Sequence, residues 1–137
     1  MIAIANVYIV EDDDDLQEIY RMFLSRMGHE VVGQIADADE ALVDLYFNHK
    51  EIPPDILIVD NNLPGKSGLN LLEDLNKLKS LNKTQVLFIS GSSGIRFDAL
   101  NLGASRFIQK PFNFNLLGRI ITDVMRENSI KLQIPSD

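Results

Sequence analysis

Five consecutive carboxylates follow a short apolar segment near the start of the chain. The segment is VYIV (7–10), and the acidic run extends from Glu11 to Asp15. Neighbouring carboxylates repel each other and raise each other's pKa, so such a run needs solvent, a helix start or a cation beside it. Because carboxylate oxygens are the ligands of hard cations, part of this run is a candidate site for an ion such as Mg²⁺.

Further polar residues come directly after other apolar segments. They are Asp60 after ILIV (56–59), Ser90 after VLFI (86–89) and Lys110 after SRFIQ (105–109). Apolar runs without alternation are typical of parallel strands that are buried on both faces. The carboxyl ends of such strands meet at one edge of the sheet, which is where open α/β folds place their chemistry. The spacing therefore predicts that these residues lie near Glu11 and Asp12.

Helical patterns separate the apolar segments. The predicted strands cover 7–10, 30–35, 56–59, 86–89 and 105–109, and the predicted helices cover 16–27, 37–49, 68–81, 93–102 and 114–128. Five alternations of strand and helix with short loops predict a doubly wound α/β domain with a parallel sheet. We expect one domain over residues 1–128 and a loose C-terminal tail over 129–137.

Composition limits the classes of function. The chain has 137 residues and no cysteine, which excludes disulfides and thiolate metal sites. Its net charge of −7 argues against direct binding of nucleic acid. No signal peptide and no apolar stretch of membrane-spanning length is found, so the expected location is the cytoplasm, without a membrane partner.

The converging residues suit phosphoryl transfer. A strand-end carboxylate such as Asp60 can attack phosphorus and form an aspartyl phosphate. Lys110 supplies a compact positive charge and Ser90 a hydroxyl donor for phosphoryl oxygens. With a metal to screen the negative charges, this transfer needs little beyond positioning and electrostatic help.

Four separated motifs resemble those of the response-regulator receiver family of two-component signalling. They are IVEDD (9–13), DILIVDNNLPGKSG (55–68), FISGSS (88–93) and GASRFIQKPF (103–112). The match covers about residues 5–127 in order. It implies a CheY-like, flavodoxin-like (βα)₅ three-layer sandwich whose five parallel strands have the order 2-1-3-4-5.

The resemblance also implies a role for each matched residue. Asp60 would accept the phosphoryl group, and Mg²⁺, for which Mn²⁺ can substitute, would be held by Glu11, Asp12, Asp60 and the backbone carbonyl of Asn62. Ser90 and Lys110 would bind the phosphoryl oxygens. Phe107 would change rotamer as Ser90 moves, Gly91 would leave room for that movement, and the peptide bond before Pro111 would be cis.

The partners implied are a sensor histidine kinase or a phosphotransfer protein, and a downstream target. The target would bind the surface of the fourth helix, fifth strand and fifth helix. The resemblance is also compatible with a homodimer that forms on phosphorylation. The chain departs from the commoner pattern at Glu11, where Asp is usual, and at Phe107, where Tyr is frequent. On this interpretation the protein is a switch and not an enzyme, apart from catalysing its own phosphorylation and dephosphorylation.

Several residues have simpler interpretations. Asp13, Asp14 and Asp15 are typical of a helix start, and Phe107 alone would be an ordinary core residue. We expect His29 and His49 to be surface residues without a catalytic part. The alternation of apolar and polar residues in SIKLQI (129–134) fits an edge strand, a partner contact or a segment without a role.

Three other functions remain open from the sequence. A phosphatase of the haloacid dehalogenase type would use Asp60 as nucleophile, but it needs a second Asp where this chain has Asn62. A flavodoxin-like cofactor binder would need a Gly- and hydroxyl-rich loop after the first strand, and the acidic run there would repel a phosphate. A receiver that binds a partner without being phosphorylated is the third.

Overall fold

The computed structural model describes residues 4–133 as alternating strands and helices. The strands are β1 (Asn6–Val10), β2 (Glu30–Ile35), β3 (Ile56–Asp60), β4 (Gln85–Ser90) and β5 (Arg106–Gln109). The helices are α1 (Asp14–Arg26), α2 (Ala38–Asn48), α3 (Gly68–Leu75), α4 (Arg96–Asn101) and α5 (Phe114–Gln133). Two short 3₁₀ turns, Lys79–Leu81 and Ser93–Ile95, precede β4 and α4.

All strand pairs are parallel, and the strand order is β2-β1-β3-β4-β5. This arrangement confirms the predicted (βα)₅ fold. The order reverses beside β1, so the carboxyl ends of β1 and β3 open onto a crevice between diverging connections. None of the helices in the described part has the length and apolar character that a membrane span requires.

Helices cover both faces of the sheet and produce two hydrophobic cores. Along each strand, successive side chains alternate between the faces. Ile9 and Ile58 pack with α1 and α5 on one face, whereas Val10 and Val59 pack with α2 and α3 on the other. Strands buried on both faces explain why their sequences are continuously apolar.

The acidic run begins α1, as the sequence predicts. Asp13 is the N-cap, and its Oδ1 accepts hydrogen bonds from the backbone N–H groups of Asp15 (2.9 Å) and Leu16 (3.2 Å). Asp14 and Asp15 occupy the first turn, where carboxylates interact favourably with the helix dipole. The run is therefore divided between the helix start and the two residues before it.

The third helix is shorter than the predicted range of 68–81. After Asn76, backbone hydrogen bonds span three residues, from Lys77 to Asp74 (3.1 Å) and from Leu78 to Leu75 (2.9 Å). The side chain of Asn76 also donates to the carbonyl of Leu102 (2.7 Å), which ties the helix end to the end of α4. The leucine periodicity continues past α3 because a 3₁₀ turn brings later leucines to the same core.

The last helix is longer than predicted. It continues through Gln133, so residues 129–133, which we assigned to a loose tail, are helical. No Gly or Pro lies between Arg119 and Gln133 to end the helix earlier. Residues 134–137, including Ile134, lie outside the described part of the chain.

The surface assignment of the two histidines is wrong. His29 is buried, and its Nδ1 accepts a hydrogen bond from the backbone N–H of Ala5 (3.0 Å). Burial lowers the pKa of His29, which keeps Nδ1 available as an acceptor. His49 is half-buried, with its ring edge-on to Tyr8 at 5.2 Å.

A glycine allows a tyrosine ring to lie between β1 and α2. The register of β1 and β2 shifts after Val7, which places Gly33 opposite Tyr8. A Cβ atom on Gly33 would lie 2.4 Å from Cε2 of Tyr8, closer than any real contact. The Tyr8 hydroxyl donates to Asp44 of α2 (2.7 Å), so the ring is held at both ends.

We therefore expect Gly33→Ala to lower the free energy of unfolding by about 1–3 kcal/mol through overpacking. Urea denaturation measures the change. Gly94→Ala is the matched control, because a Cβ there meets only an ordinary contact with Ser92 Oγ at 3.7 Å. Equal stability of the two variants would contradict the fixed position of the Tyr8 ring.

Candidate functional site

Three carboxylates meet at the carboxyl edge of the sheet. Oxygens of Glu11, Asp12 and Asp60 all lie within 4.8 Å of one another. Glu11 and Asp60 are buried, whereas Asp12 is exposed at the mouth of the pocket. The convergence predicted from the ends of β1 and β3 is therefore found.

Asp60 is held by the sheet itself. It is the last residue of β3 and pairs with Ile89 of β4, and the next N–H, of Asn61, donates to the Ile89 carbonyl (2.9 Å). Its side chain is 3% exposed, and Oδ1 lies 3.1 Å from Nζ of Lys110. A rigid strand end thus presents a nearly buried carboxylate next to the ammonium group of Lys110.

Lys110 reaches this position because β5 and β4 end together. The backbone N–H of Lys110 donates to the carbonyl of Ser90 (2.8 Å), which extends the ladder past the last paired residues. The peptide bond between Lys110 and Pro111 is cis, as predicted. Lys110 is partly exposed, so its ammonium group contacts both Asp60 and solvent.

Glu11 is a buried acid of the pocket with a raised pKa. Its N–H donates to Ile35 (3.0 Å), and its Oε1 accepts from the N–H of Asp13 (3.1 Å), but its Oε2 is buried without a partner among the described residues. Burial, followed by the charge of Asp60, raises the pKa of Glu11 to about 8, although Lys110 opposes the shift. The ionised form of Glu11 is therefore disfavoured in this pocket in the absence of a cation.

The donor set fits a divalent cation. Glu11 Oε2 and Asp60 Oδ1 are both buried oxygens without a hydrogen bond among the described residues, although Lys110 lies at ion-pair distance from the second. Buried unpaired carboxylate oxygens are costly, and a hard cation would satisfy them. The set contains only oxygen atoms and opens to solvent at Asp12, which suits Mg²⁺ with several waters retained.

Ser90 is the last residue of β4, and Gly91 follows it at the same edge of the sheet. Ser90 is buried, and its Oγ accepts a hydrogen bond from the N–H of Ser92 (3.0 Å), which leaves its hydroxyl hydrogen for another acceptor. Gly91 is exposed, and a Cβ added there would meet no atom within 4 Å. The space that the family resemblance requires around Gly91 is present, but its role in a movement stays a prediction.

Phe107 lies away from the carboxylates. It is partly buried on the α2–α3 face of the sheet, and its ring stacks on Phe88 with a centroid distance of 6.2 Å. Phe88 is fully buried, so the ring of Phe107 contacts a fixed neighbour. The predicted change of rotamer at Phe107 stays a prediction.

Asn61 organises the loop after β3, a role that the sequence patterns did not reveal. Its backbone carbonyl accepts from the N–H groups of Leu63 (3.1 Å) and Gly68 (3.0 Å), and its Oδ1 accepts from the N–H of Leu69 (3.2 Å). A Cβ on Gly68 would lie 2.6 Å from the carbonyl oxygen of Asp60. The loop therefore packs α3 directly against the end of β3. The sequence signal for this close packing was Gly68 at the start of a predicted helix.

Asn62 is exposed at the outer side of this loop. Its position directly after Asn61 is consistent with a backbone carbonyl near the pocket mouth, and the predicted contribution of that carbonyl to a metal site stays a prediction.

Tyr20 is a second residue that sequence reasoning missed. It lies in α1 with its side chain fully buried, and its pKa is raised by burial and by the charges of Glu11 and Asp60. The sequence did contain a signal for it: a tyrosine at an apolar position of a helix indicates a buried hydroxyl, which needs a hydrogen-bond partner.

Comparisons with known proteins agree on one family. Residues 7–122 match the model of the response regulator receiver domain. The chain is 28% identical to the chemotaxis protein CheY of Thermotoga maritima over 106 residues, which cover 77% of this chain and 85% of that protein. It spans about half or less of several other curated relatives that it matches.

Solved structures show the same fold. A protein from Chloroflexus aurantiacus assigned as a response regulator superposes with a TM-score of 0.79 at 27% identity, covering 90% of this chain and 99% of that one. The CheX–CheY–BeF₃–Mg²⁺ complex from Borrelia burgdorferi gives a TM-score of 0.79 at 25% identity and covers 90% of both chains.

The raised pKa of Glu11 predicts a pH-dependent stability difference. Its carboxyl group ionises near 4.5 when unfolded and near 8 when folded, so without a cation the native state loses stability as pH rises through this window. We expect Glu11→Gln to be more stable than the unsubstituted protein at pH 8 with a chelator, by about 1–2 kcal/mol after allowance for solvent screening.

Urea denaturation at pH 5 and pH 8 measures this difference, which should be small at pH 5. Glu73→Gln on the exposed surface of α3 is the control and should lack the trend. A stability difference between Glu11→Gln and the unsubstituted protein that does not change with pH would contradict the protonation of Glu11 in the pocket.

Proposed function

The chain belongs to the response regulator receiver domain family, and from this premise we propose that it accepts a phosphoryl group on Asp60 and thereby switches a partner-binding surface. One observation carries the proposal: Glu11, Asp12 and Asp60 converge within 4.8 Å, with the Lys110 ammonium 3.1 Å from Asp60. A candidate nucleophile, carboxylate oxygens suited to a cation and an ammonium group suited to phosphate thus lie within one pocket.

Asp60 supplies the nucleophile. One of its carboxylate oxygens attacks the phosphorus of a phosphohistidine, a new O–P bond forms and the N–P bond breaks with its electron pair going to the imidazole nitrogen. The product is an acyl phosphate on Asp60 and a histidine that regains a proton from solvent. The fixed strand end limits the motion of the carboxylate, which lowers the entropic cost of the attack.

The other residues of the pocket bind the transferred group. Nζ of Lys110 lies 3.1 Å from Oδ1 of Asp60. After transfer, the Lys110 ammonium group would form an ion pair with the phosphoryl oxygens on Asp60. The Ser90 hydroxyl, which accepts from Ser92 and keeps its own hydrogen free, would donate to another phosphoryl oxygen.

The residues that would hold Mg²⁺ are Glu11, Asp12, Asp60 and Asn62 through its backbone carbonyl. Bound Mg²⁺ supplies charge neutralisation for the crowded carboxylates and the incoming phosphoryl oxygens. Glu11 contributes a buried carboxylate oxygen that has no hydrogen bond within the described residues. Mn²⁺ shares the preference for oxygen ligands and can substitute.

The switch would connect Ser90 to the surface of α4, β5 and α5. A shift of Ser90 toward the phosphoryl group would open space next to β5, and Phe107 would rotate into the protein with Phe88 as its fixed neighbour. Gly91 offers no side chain that would obstruct the shift. Because Phe107 has no hydroxyl, the change would act through packing alone.

The partners on this proposal are a histidine kinase or phosphotransfer protein as donor and a protein target that binds the α4–β5–α5 surface. The Borrelia complex contains CheX, CheY, BeF₃ and Mg²⁺, which supports a receiver of this fold acting together with a partner protein and a divalent cation. The same surface could also join two copies of the protein after phosphorylation, which would be a second way to transmit the signal.

The catalytic activity would be limited to the protein's own phosphorylation and dephosphorylation. A phosphatase with Asp60 as nucleophile is less well supported, because Asn62 lacks the acid–base chemistry of a second Asp. The functional unit on this proposal is the receiver domain, whose last helix, α5, extends through Gln133.

Incubation with acetyl phosphate and Mg²⁺, followed by intact-mass measurement, tests the acceptor. We expect a gain of one phosphoryl group that depends on Mg²⁺ and disappears in Asp60→Asn. Asp98→Asn, on the exposed side of α4, is the matched control and should retain the gain. Circular dichroism verifies that all variants are folded.

Phosphoryl uptake by folded Asp60→Asn would overturn the assignment of the acceptor. Absence of uptake in the unsubstituted protein, with both acetyl phosphate and phosphohistidine donors, would favour a receiver that binds its partner without phosphorylation.

A further inference from the structure

Tyr20 carries a buried hydroxyl that the proposed phosphoryl chemistry does not use. The side chain is 0% exposed, and Oη has no hydrogen-bond partner among the residues that the structure describes. A buried phenol without a partner is costly, so it is expected to find one in some state of the protein. Tyr20 is therefore a feature that packing alone does not explain.

The ring of Tyr20 lies on the same face of the sheet as the acidic pocket. Tyr20 belongs to the core that contains Ile9 and Ile58. Since side chains alternate along a strand, Glu11 and Asp60, two positions after these isoleucines, point to that same face. Tyr20 and the two buried carboxylates thus share one face of the sheet.

Aromatic contacts orient the ring. Tyr20 stacks on Phe112 with a centroid distance of 6.3 Å and meets Phe114 edge-on at 5.5 Å. Both phenylalanines belong to the segment that follows Lys110 and Pro111. These two rings, from the segment after β5, thereby restrict the orientation of the Tyr20 ring.

The electrostatic surroundings agree with this placement. Burial raises the pKa of Tyr20, and the charges of Glu11 and Asp60 raise it further. The hydroxyl therefore keeps its proton throughout the physiological range and acts as a donor. The buried Oε2 of Glu11, on the same face of the sheet, is an acceptor that also has no partner among the described residues.

We propose that the Tyr20 hydroxyl is a positioning group of the cation site, which donates a hydrogen bond to Glu11 Oε2, directly or through one water, when the cation is bound. The inference rests on the magnesium site of the proposed function and adds a residue to it. The hydrogen bond would satisfy the buried phenol and fix the orientation of the Glu11 carboxylate in the site.

The proposal predicts weaker cation binding without the hydroxyl. We expect Tyr20→Phe to raise the Kd for Mg²⁺ about tenfold, as befits a lost hydrogen bond to a charged group. Tyr8→Phe is the matched control, because it removes the hydroxyl of another fully buried tyrosine whose partner is Asp44 on the opposite face. Isothermal titration calorimetry measures both constants, and thermal unfolding verifies that both variants are folded.

A spectroscopic measurement separates a hydrogen bond from a packing effect. Addition of Mg²⁺ to the unsubstituted protein should change the near-ultraviolet absorption of a buried tyrosine, because its hydroxyl gains an acceptor. The change should persist in Tyr8→Phe and disappear in Tyr20→Phe. The chain has no tryptophan to obscure the signal.

The outcomes distinguish the role of Tyr20 from the magnesium site itself. Unchanged Mg²⁺ affinity in Tyr20→Phe, or a tyrosine signal that survives this substitution, would overturn the role of Tyr20 while the magnesium site stands. Failure of the unsubstituted protein to bind Mg²⁺ would overturn the magnesium site of the proposed function and the role of Tyr20 with it.

Discussion

Crowding of negative charge at the end of a buried sheet is the constraint on which the rest of the structure depends. Glu11, Asp12 and Asp60 lie together with one nearby ammonium group, that of Lys110. The cost of this arrangement appears as a raised pKa of Glu11 and as buried oxygens without hydrogen bonds in the described residues. A pocket that is unfavourable by itself becomes favourable when a cation and a phosphoryl group enter, which is a suitable basis for a switch.

The fold supports this unfavourable pocket with two cores. The central strands are covered on both faces, so their ends cannot move apart to relieve the repulsion. The loops that follow the strands are tied by specific contacts, such as those of Asn61 with the start of α3 and of Lys110 with Ser90. The site is thus supported by strands that are packed on both faces and by loops that are fixed by hydrogen bonds.

Features that leave a local pattern in the sequence could be predicted, whereas features that arise from tertiary packing could not. The strands and the polar residues after them were predicted correctly because double-sided burial leaves a continuous apolar signal, and parallel strands must end together. The end of α3 was not predicted correctly, since the later leucines reach the same core through the 3₁₀ turn Lys79–Leu81 that follows the helix. His29 was missed because its partner, the backbone N–H of Ala5, is distant in sequence. The role of Asn61 depends on the path of the loop after β3, and the burial of Tyr20 arises from tertiary packing, neither of which a local sequence pattern shows.

Mapping of backbone amide chemical shifts by NMR during addition of Mg²⁺ and then beryllofluoride, a phosphoryl mimic, tests the central claim most directly. If the strand ends form one cation and phosphoryl site, Mg²⁺ should perturb the amides at Glu11–Asp13 and Asp60–Asn62 first. Beryllofluoride should then extend the changes to Ser90, Phe107 and Lys110. Changes centred away from the strand ends, or none at Asp60 with either ligand, would contradict the account.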